Sequence, residues 1–136
     1  LGYSQLSGTY TIGGTSPDYA TFNLARAALS SSGVSGPVTF NVRQGTYTEH
    51  VSFTNITGAS STNTIRFRPD PANTSSVTLQ YNATSSSDAA VVEFTAARYI
   101  TFDTINLKSL GTNYARGVEF TGSNQNITFN GCEIDV

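Results

Sequence analysis

Charge is scarce in this 136-residue chain: Asp, Glu, Lys and Arg make up 12% of it, and the formal net charge is −2. Such a chain has no basic field with which to hold a phosphate backbone, so nucleic-acid binding is excluded as a function class. Tryptophan and methionine are absent, and Cys132 and His50 are the single cysteine and histidine. One cysteine makes neither an internal disulfide nor a zinc cluster, and Cys132 reads as a core-filling thiol. No run approaches the ~20 apolar residues that a membrane-crossing helix needs, so no membrane insertion is expected. The length suits one domain, 1–136, with one core.

What the chain does have is Ser, Thr, Asn and 12 Gly, interleaved with short apolar alternations. Phe40, Phe67, Phe94 and Phe120 recur at spacings of 27, 27 and 26 residues, each ending an apolar, polar, Phe triplet. A second column follows at Phe53, Leu79, Phe102 and Phe129, and a third pairs Leu107 with Ile134. Short strands recurring in one order at a period in the twenties predict a solenoid whose repeats are single coils. The expected fold is all-β, a right-handed parallel β-helix of about four to five coils with an N-terminal capping α-helix. Residues 1–36 supply a strand and the helix cap, and 37–136 the coils.

In chain order, Thr9 to Ile12 alternates as a strand expected to lie across the mouth of the first coil. Ser16, Pro17 and Asp18 read as a helix start, with an oxygen-bearing cap, proline in the first turn and an acid favouring the dipole. The helix is expected from about Pro17 to Ser30, with Phe22, Ala25 and Leu29 on its buried face and Gly33 past its end. Gly36-Pro37 reads as a breaker before the strand Val38–Val42. The chain finishes on Glu133 to Val136 with no evident cap, which predicts either a longer native protein or coverage of that edge by another copy.

These residues resemble a known family. Asp18 to Phe22, Ala27 to Leu29, Val38 to Val42 and the turn Gly45-Thr-Tyr-Thr-Glu49 are similar to the opening of pectin methylesterases and related pectin-lyase-like right-handed β-helix proteins. Ala97 to Asp103, with its Ile-Thr-Phe strand, is similar to a later stretch of the same esterases. The resemblance implies a capping helix and β-helix coils. The family's catalytic groups are two glutamines, two aspartates and an arginine. Alignment of its first glutamine segment on Arg116 to Phe120 puts Arg116 where the glutamine would stand, and the remaining motifs would fall beyond Val136. The resemblance therefore carries no catalytic residue to this chain.

Coil alignment also predicts an exterior column Thr39, Arg66, Glu93, Glu119, with Arg66 ion-paired to Glu93. Glu93 beside Glu119 would repel unless a cation or basic group lies between them. Arg66, Arg116, Glu93 and Glu119 are thus the candidate substrate-binding residues, and Glu93 with Glu119 a candidate Ca²⁺ pair, although Ca²⁺ takes ~6–8 oxygens and no cofactor is required. A second exterior column sets Asp103 against Asn130, Asn106 against Glu133 and Lys108 against Asp135. Tyr3, Tyr10, Tyr81, Tyr99 and Tyr114 are available for sugar stacking. His50, with Ser52 two residues on, reads as a partly exposed strand residue rather than a general base.

Three functions fit. One is a non-catalytic module of a secreted or cell-surface protein, serving as a scaffold or binding polysaccharide. Another is the N-terminal part of a polysaccharide-active enzyme, pectinesterase-like, lyase or hydrolase. The last is an adhesion or assembly segment that self-associates end to end through its C-terminal coil. Extracellular localisation is the expectation from a single lysine and Asn/Thr/Ser-rich surfaces.

Overall fold

The computed structural model describes residues 4–136, so Tyr3 lies outside the described residues. Among the described residues, twelve strands and one α-helix are formed: β1 (Leu6–Ile12), α1 (Phe22–Ser32), β2 (Val34–Val42), β3 (Gly45–Thr48), β4 (Val51–Phe53), β5 (Ile65–Pro69), β6 (Val77–Tyr81), β7 (Ala90–Thr95), β8 (Arg98–Asp103), β9 (Ile105–Ser109), β10 (Arg116–Thr121), β11 (Gln125–Asn130) and β12 (Ile134–Asp135). Every pairing is parallel. The first sheet has the order β1-β2-β5-β8-β11, the second β3-β6-β9-β12 and the third β4-β7-β10. From β2 onward the chain visits the first, second and third sheets in rotation, so each circuit adds one strand to each sheet.

The alternation of the strands sends one set of side chains inward, as the period of two requires. Val38, Phe40, Ile65, Phe67, Leu79, Val92, Phe94, Ile100, Phe102 and Leu107 are buried in one core. The phenylalanines do not form the single column read from spacing. Phe67 lies opposite Phe40 and Phe102 in the first sheet, whereas Phe94 lies opposite Phe53 and Phe120 in the third. There are therefore two aromatic stacks. Phe40, Phe67, Phe102 and Phe129 follow one another with centroids 4.8, 4.9 and 5.4 Å apart, and Phe53, Phe94 and Phe120 with centroids 5.5 and 5.4 Å apart. The second predicted column breaks up for the same reason, since Phe53, Leu79 and Phe102 belong to three different sheets; only its last step, Phe102 over Phe129, stands. The third, Leu107 over Ile134, stands.

The N-terminal segments also differ from expectation. β1 is a full partner of β2, with Tyr10 opposite Phe40, rather than a strand crossing the mouth. Gly36-Pro37 does not break β2; the register shifts there, with four residues of β2 spanning two of β1, as a bulge does. The helix starts at Phe22, capped by the Thr21 hydroxyl, which accepts from Leu24 N at 3.1 Å. Asp18 is not its first-turn acid. Its carboxylate accepts from Thr11 N at 2.9 Å instead, tying the Ser16–Asp18 turn to β1. The acid that serves the helix is Glu49, whose carboxylate accepts from Phe22 N and Asn23 N, both at 3.0 Å. Phe22, Ala25 and Leu29 are buried against the core, and Gly33, at φ 70, ends the helix by donating to Leu29 O.

Corner residues repeat where the circuits repeat. Ala96 and Gly122, Tyr99 and Asn126, and Thr104 and Gly131 all have positive φ and stand 26 or 27 residues apart. Each pair turns the backbone the same way in consecutive circuits, which keeps the following strands in register. Cys132 is partly buried against the core and donates to Phe102 O at 3.3 Å, and burial pushes its thiol pKa up. It is a packing residue here rather than a thiolate nucleophile.

Candidate functional site

The outward positions of the first sheet form one column across its five strands, Thr9, Thr39, Arg66, Thr101 and Thr128, and beside it two shorter runs, Thr11, Asn41 and Arg68, then Asp103 and Asn130. Their neighbours along each strand point inward, so this face is a continuous polar surface at the inter-strand spacing of ~4.8 Å. Arg66 ion-pairs with Asp103, which also accepts from Asn130 Nδ2 at 3.0 Å. Arg68 Nε donates to Asn41 Oδ1 at 2.8 Å. Beyond the strand ends, Arg43 Nε meets Asp70 Oδ2 at 3.1 Å. The Ala72 N–H and the Arg43 guanidinium hold the Asp70 carboxyl below its usual range, partly offset by burial.

The structure separates the residues that spacing had grouped. Arg66 is on the first sheet, opposite Thr39 and Thr101, and makes no pair with Glu93. Glu93 is on the third sheet, opposite Ser52 and Glu119. The predicted carboxylate neighbours are therefore real register partners. Glu119 has a basic partner in Arg116, at the start of its own strand β10, whose Nη1 lies 2.7 Å from Glu119 Oε2. Thr95 Oγ1 donates weakly to Glu93 Oε1 at 3.4 Å. Among the described residues no three His, Cys, Asp or Glu side chains gather closely enough to hold a metal ion.

Arg68 was not singled out by sequence reasoning, yet its signal is there: Arg66-Phe67-Arg68 alternates around an inward ring, which places both guanidiniums on one face. Of the tyrosines, Tyr10 packs against Tyr19 and Phe40 and is not free for a ligand. Tyr81 donates to Asp88 Oδ2 at 2.7 Å and packs on His50, whose Nδ1 lies 2.6 Å from Ala90 O. A carbonyl only accepts, so that nitrogen carries the proton and the ring serves to hold a corner. The Tyr81 hydroxyl and the Ser85 donors keep the Asp88 carboxyl below its ordinary range. Tyr114 is exposed and Tyr99 half-buried. Phe120 on β10, Ile134 on β12 and Val136 after it are exposed, whereas Ile127 and Phe129 on β11 are half-buried.

No family model matches the sequence, and neither does any curated protein. Two solved structures of the pectin methylesterase from Aspergillus niger do match in fold. One is a deglycosylated form and the other a penultimately deglycosylated form with an N-acetylglucosamine stub; both have a TM-score of 0.67, at 21% and 22% identity. They cover 96% and 97% of this chain, which spans 44% of theirs. At that identity the likeness establishes the fold, and it agrees with the pectin methylesterase-like motifs around Tyr47 and Ile100.

Proposed function

We propose, from a fold shared with an Aspergillus niger pectin methylesterase, that this chain is a section of right-handed parallel β-helix acting as a polysaccharide-binding scaffold of a secreted or cell-surface protein. The observation that carries the reading is the outer face of the first sheet. Ten outward positions there present hydroxyls, amides, two arginines and the Asp103 carboxylate. Arg66 and Arg68 each use Nε on a neighbour, which orients the rest of each guanidinium fork toward a ligand. A sugar chain laid across the strands would meet a donor or acceptor at each ~4.8 Å step. Binding rather than hydrolysis is favoured because the one acid of this face is engaged: Asp103 holds Arg66 and Asn130. Ca²⁺ is not required in this reading, since Arg116 supplies the positive charge beside Glu119.

The test is affinity electrophoresis through gels containing pectin, xylan or soluble cellulose derivatives, with and without Ca²⁺. Wild type is expected to be retarded by at least one polymer independently of Ca²⁺. Arg66→Ala/Arg68→Ala is expected to bind that polymer about tenfold more weakly, the loss of two partly exposed charge-assisted contacts worth ~0.5–1 kcal/mol each. Unretarded migration of the wild type in every gel, or equal retardation of the double variant, overturns the reading.

A further inference from the structure

The two edges of the first sheet are finished differently. On β1 the outer edge is occupied: Thr11 N donates to Asp18 Oδ2 at 2.9 Å, Thr11 O accepts from Tyr19 N at 3.0 Å, and the Tyr10 hydroxyl bridges Ser7 N and Ser7 O, both at 3.1 Å. β11, at the other edge, pairs with β8 alone among the described residues. Asn130 O accepts from Thr104 N at 2.8 Å, on the β8 side. Main-chain groups alternate sides along a strand, so those of Thr128 also face β8, whereas the N–H and C=O of Ile127 and Phe129 face away from it. Such an edge is ordinarily blunted by charge or proline. Gln125–Asn130 contains neither.

An antiparallel copy of the same strand fits this edge. With a twofold axis through Thr128, normal to the sheet, Ile127 faces Phe129 of the second copy and Phe129 faces its Ile127. Each of those pairs exchanges two hydrogen bonds, so every free group is satisfied at once; an axis through Ile127 or Phe129 satisfies only half of them. Side chains keep their faces, and the half-buried Ile127 and Phe129 are covered. The same rotation exchanges the other two sheets and sets β10 over β12 of the second copy. Phe120, 55% exposed, then meets Ile134 and Val136, 45% and 71% exposed, and the reverse contact forms across the axis. A twofold interface requires that self-complementarity. The acids of β10 and β12, Glu119 and Asp135, point outward beside Arg116 and Lys108.

We propose that the chain forms a closed tail-to-tail dimer through β11, Phe120 and Ile134, joining two five-stranded first sheets into one. The blunted β1 edges lie at the far ends and take no further strand, so assembly stops at two copies. Because the axis is normal to the sheet, both outer faces look the same way. The two copies of Arg66, separated by the strands β8, β11 and their mates, lie about 24 Å apart at ~4.8 Å per strand. A polymer long enough to reach both is held twice. That consequence rests on the polysaccharide reading; the dimer itself does not.

The experiment is sedimentation equilibrium of the 136-residue chain across ~1–100 µM, with cysteine crosslinking to read the register. Wild type is expected to pass from monomer to dimer over that range, with no larger species. Thr128→Lys sets two lysines face to face at the axis and should weaken the dimer at least about tenfold. The side chain is exposed, so the melting temperature of the dilute monomer should not change. In a Cys132→Ser background, Thr128→Cys should form an intermolecular disulfide on mild oxidation, since its two copies face one another within the ~4.4–6.8 Å that a disulfide spans. Asn130→Cys, displaced from the axis in opposite directions on the two strands, should not. A monomer throughout the range, a dimer that Thr128→Lys leaves intact, species that keep growing with concentration, or failure of position 128 to crosslink overturns the proposal.

Discussion

Replacing Phe94 with aspartate is expected to leave the chain unfolded at 25 °C, while Phe120→Asp folds. The two residues are register partners in one aromatic stack, with rings 5.4 Å apart and nearly parallel. Their environments are opposite. Phe94 is fully buried, packed between Phe53 and Phe120 and edge-on to Phe102 and Phe129, whereas Phe120 is 55% exposed. Removing a buried phenylalanine costs ~3–5 kcal/mol from lost contacts and the cavity. A carboxylate in that cavity adds several more, because no donor of the aromatic stack can pair with it. The sum reaches the ~5–15 kcal/mol that holds a domain together. At Phe120 the carboxylate stays in water, and the loss is about 1–2 kcal/mol of partial stacking. Far-UV circular dichroism and thermal melting distinguish the outcomes. A cooperative melt of Phe94→Asp near the wild-type temperature would show that the ring is not in the core.

Glu49→Ala is expected to lower stability by about 3 kcal/mol and the melting temperature by about 10 °C. The Glu49 carboxylate takes two backbone N–H groups of the first helical turn and also the Asn23 amide, at 2.9 Å. Asn23 Nδ2 in turn donates to His50 O at 3.1 Å, so helix and turn are laced together. The free N–H groups of a helix start carry partial positive charge, which makes an anion the favourable partner. Alanine leaves those donors without their acceptor, and the Thr21 cap alone cannot serve them. Glu49→Gln keeps an acceptor oxygen without the charge and should fall between the two. A drop under ~1 kcal/mol for alanine, measured by urea titration, would mean that solvent replaces the carboxylate without loss.

That helix also shows where local sequence rules stop. Ser16, Pro17 and Asp18 obey every rule for a helix start, yet Asp18 serves Thr11, and the acid that caps α1 is 27 residues downstream of Phe22. A contact made only after the chain has turned through two sheets leaves no local pattern. The strand repeat was legible for a physical reason: inward positions must be apolar, and one circuit takes 27 residues between Phe40 and Phe67 and again between Phe102 and Phe129. It misled between Phe67 and Phe94. There the corner before β7 includes a 3-10 turn at Ser86–Asp88, and the step from Phe67 to its true partner Phe102 is 35 residues. The apolar, polar, Phe triplet occurs on both the first and third sheets, so pattern alone cannot say which sheet a triplet joins. Within the last circuit the spacing stays regular, and Glu93 against Glu119, Asp103 against Asn130 and Lys108 against Asp135 were all legible. Arg66 was placed one sheet away from its real partner, and with it the candidate site.

Register is what every exterior column rests on, and a cross-strand disulfide reads it directly. In a Cys132→Ser background, Arg66→Cys/Thr101→Cys joins outward register partners on adjacent parallel strands, whose ~4.8 Å spacing lies within the 4.4–6.8 Å that a disulfide spans. Mild oxidation of the folded protein is expected to give near-complete intramolecular crosslinking of that pair and none of Arg66→Cys/Glu93→Cys, scored by thiol alkylation and mass spectrometry. Crosslinking of residues 66 and 93 with 66 and 101 left reduced would contradict the two aromatic stacks and restore the single column.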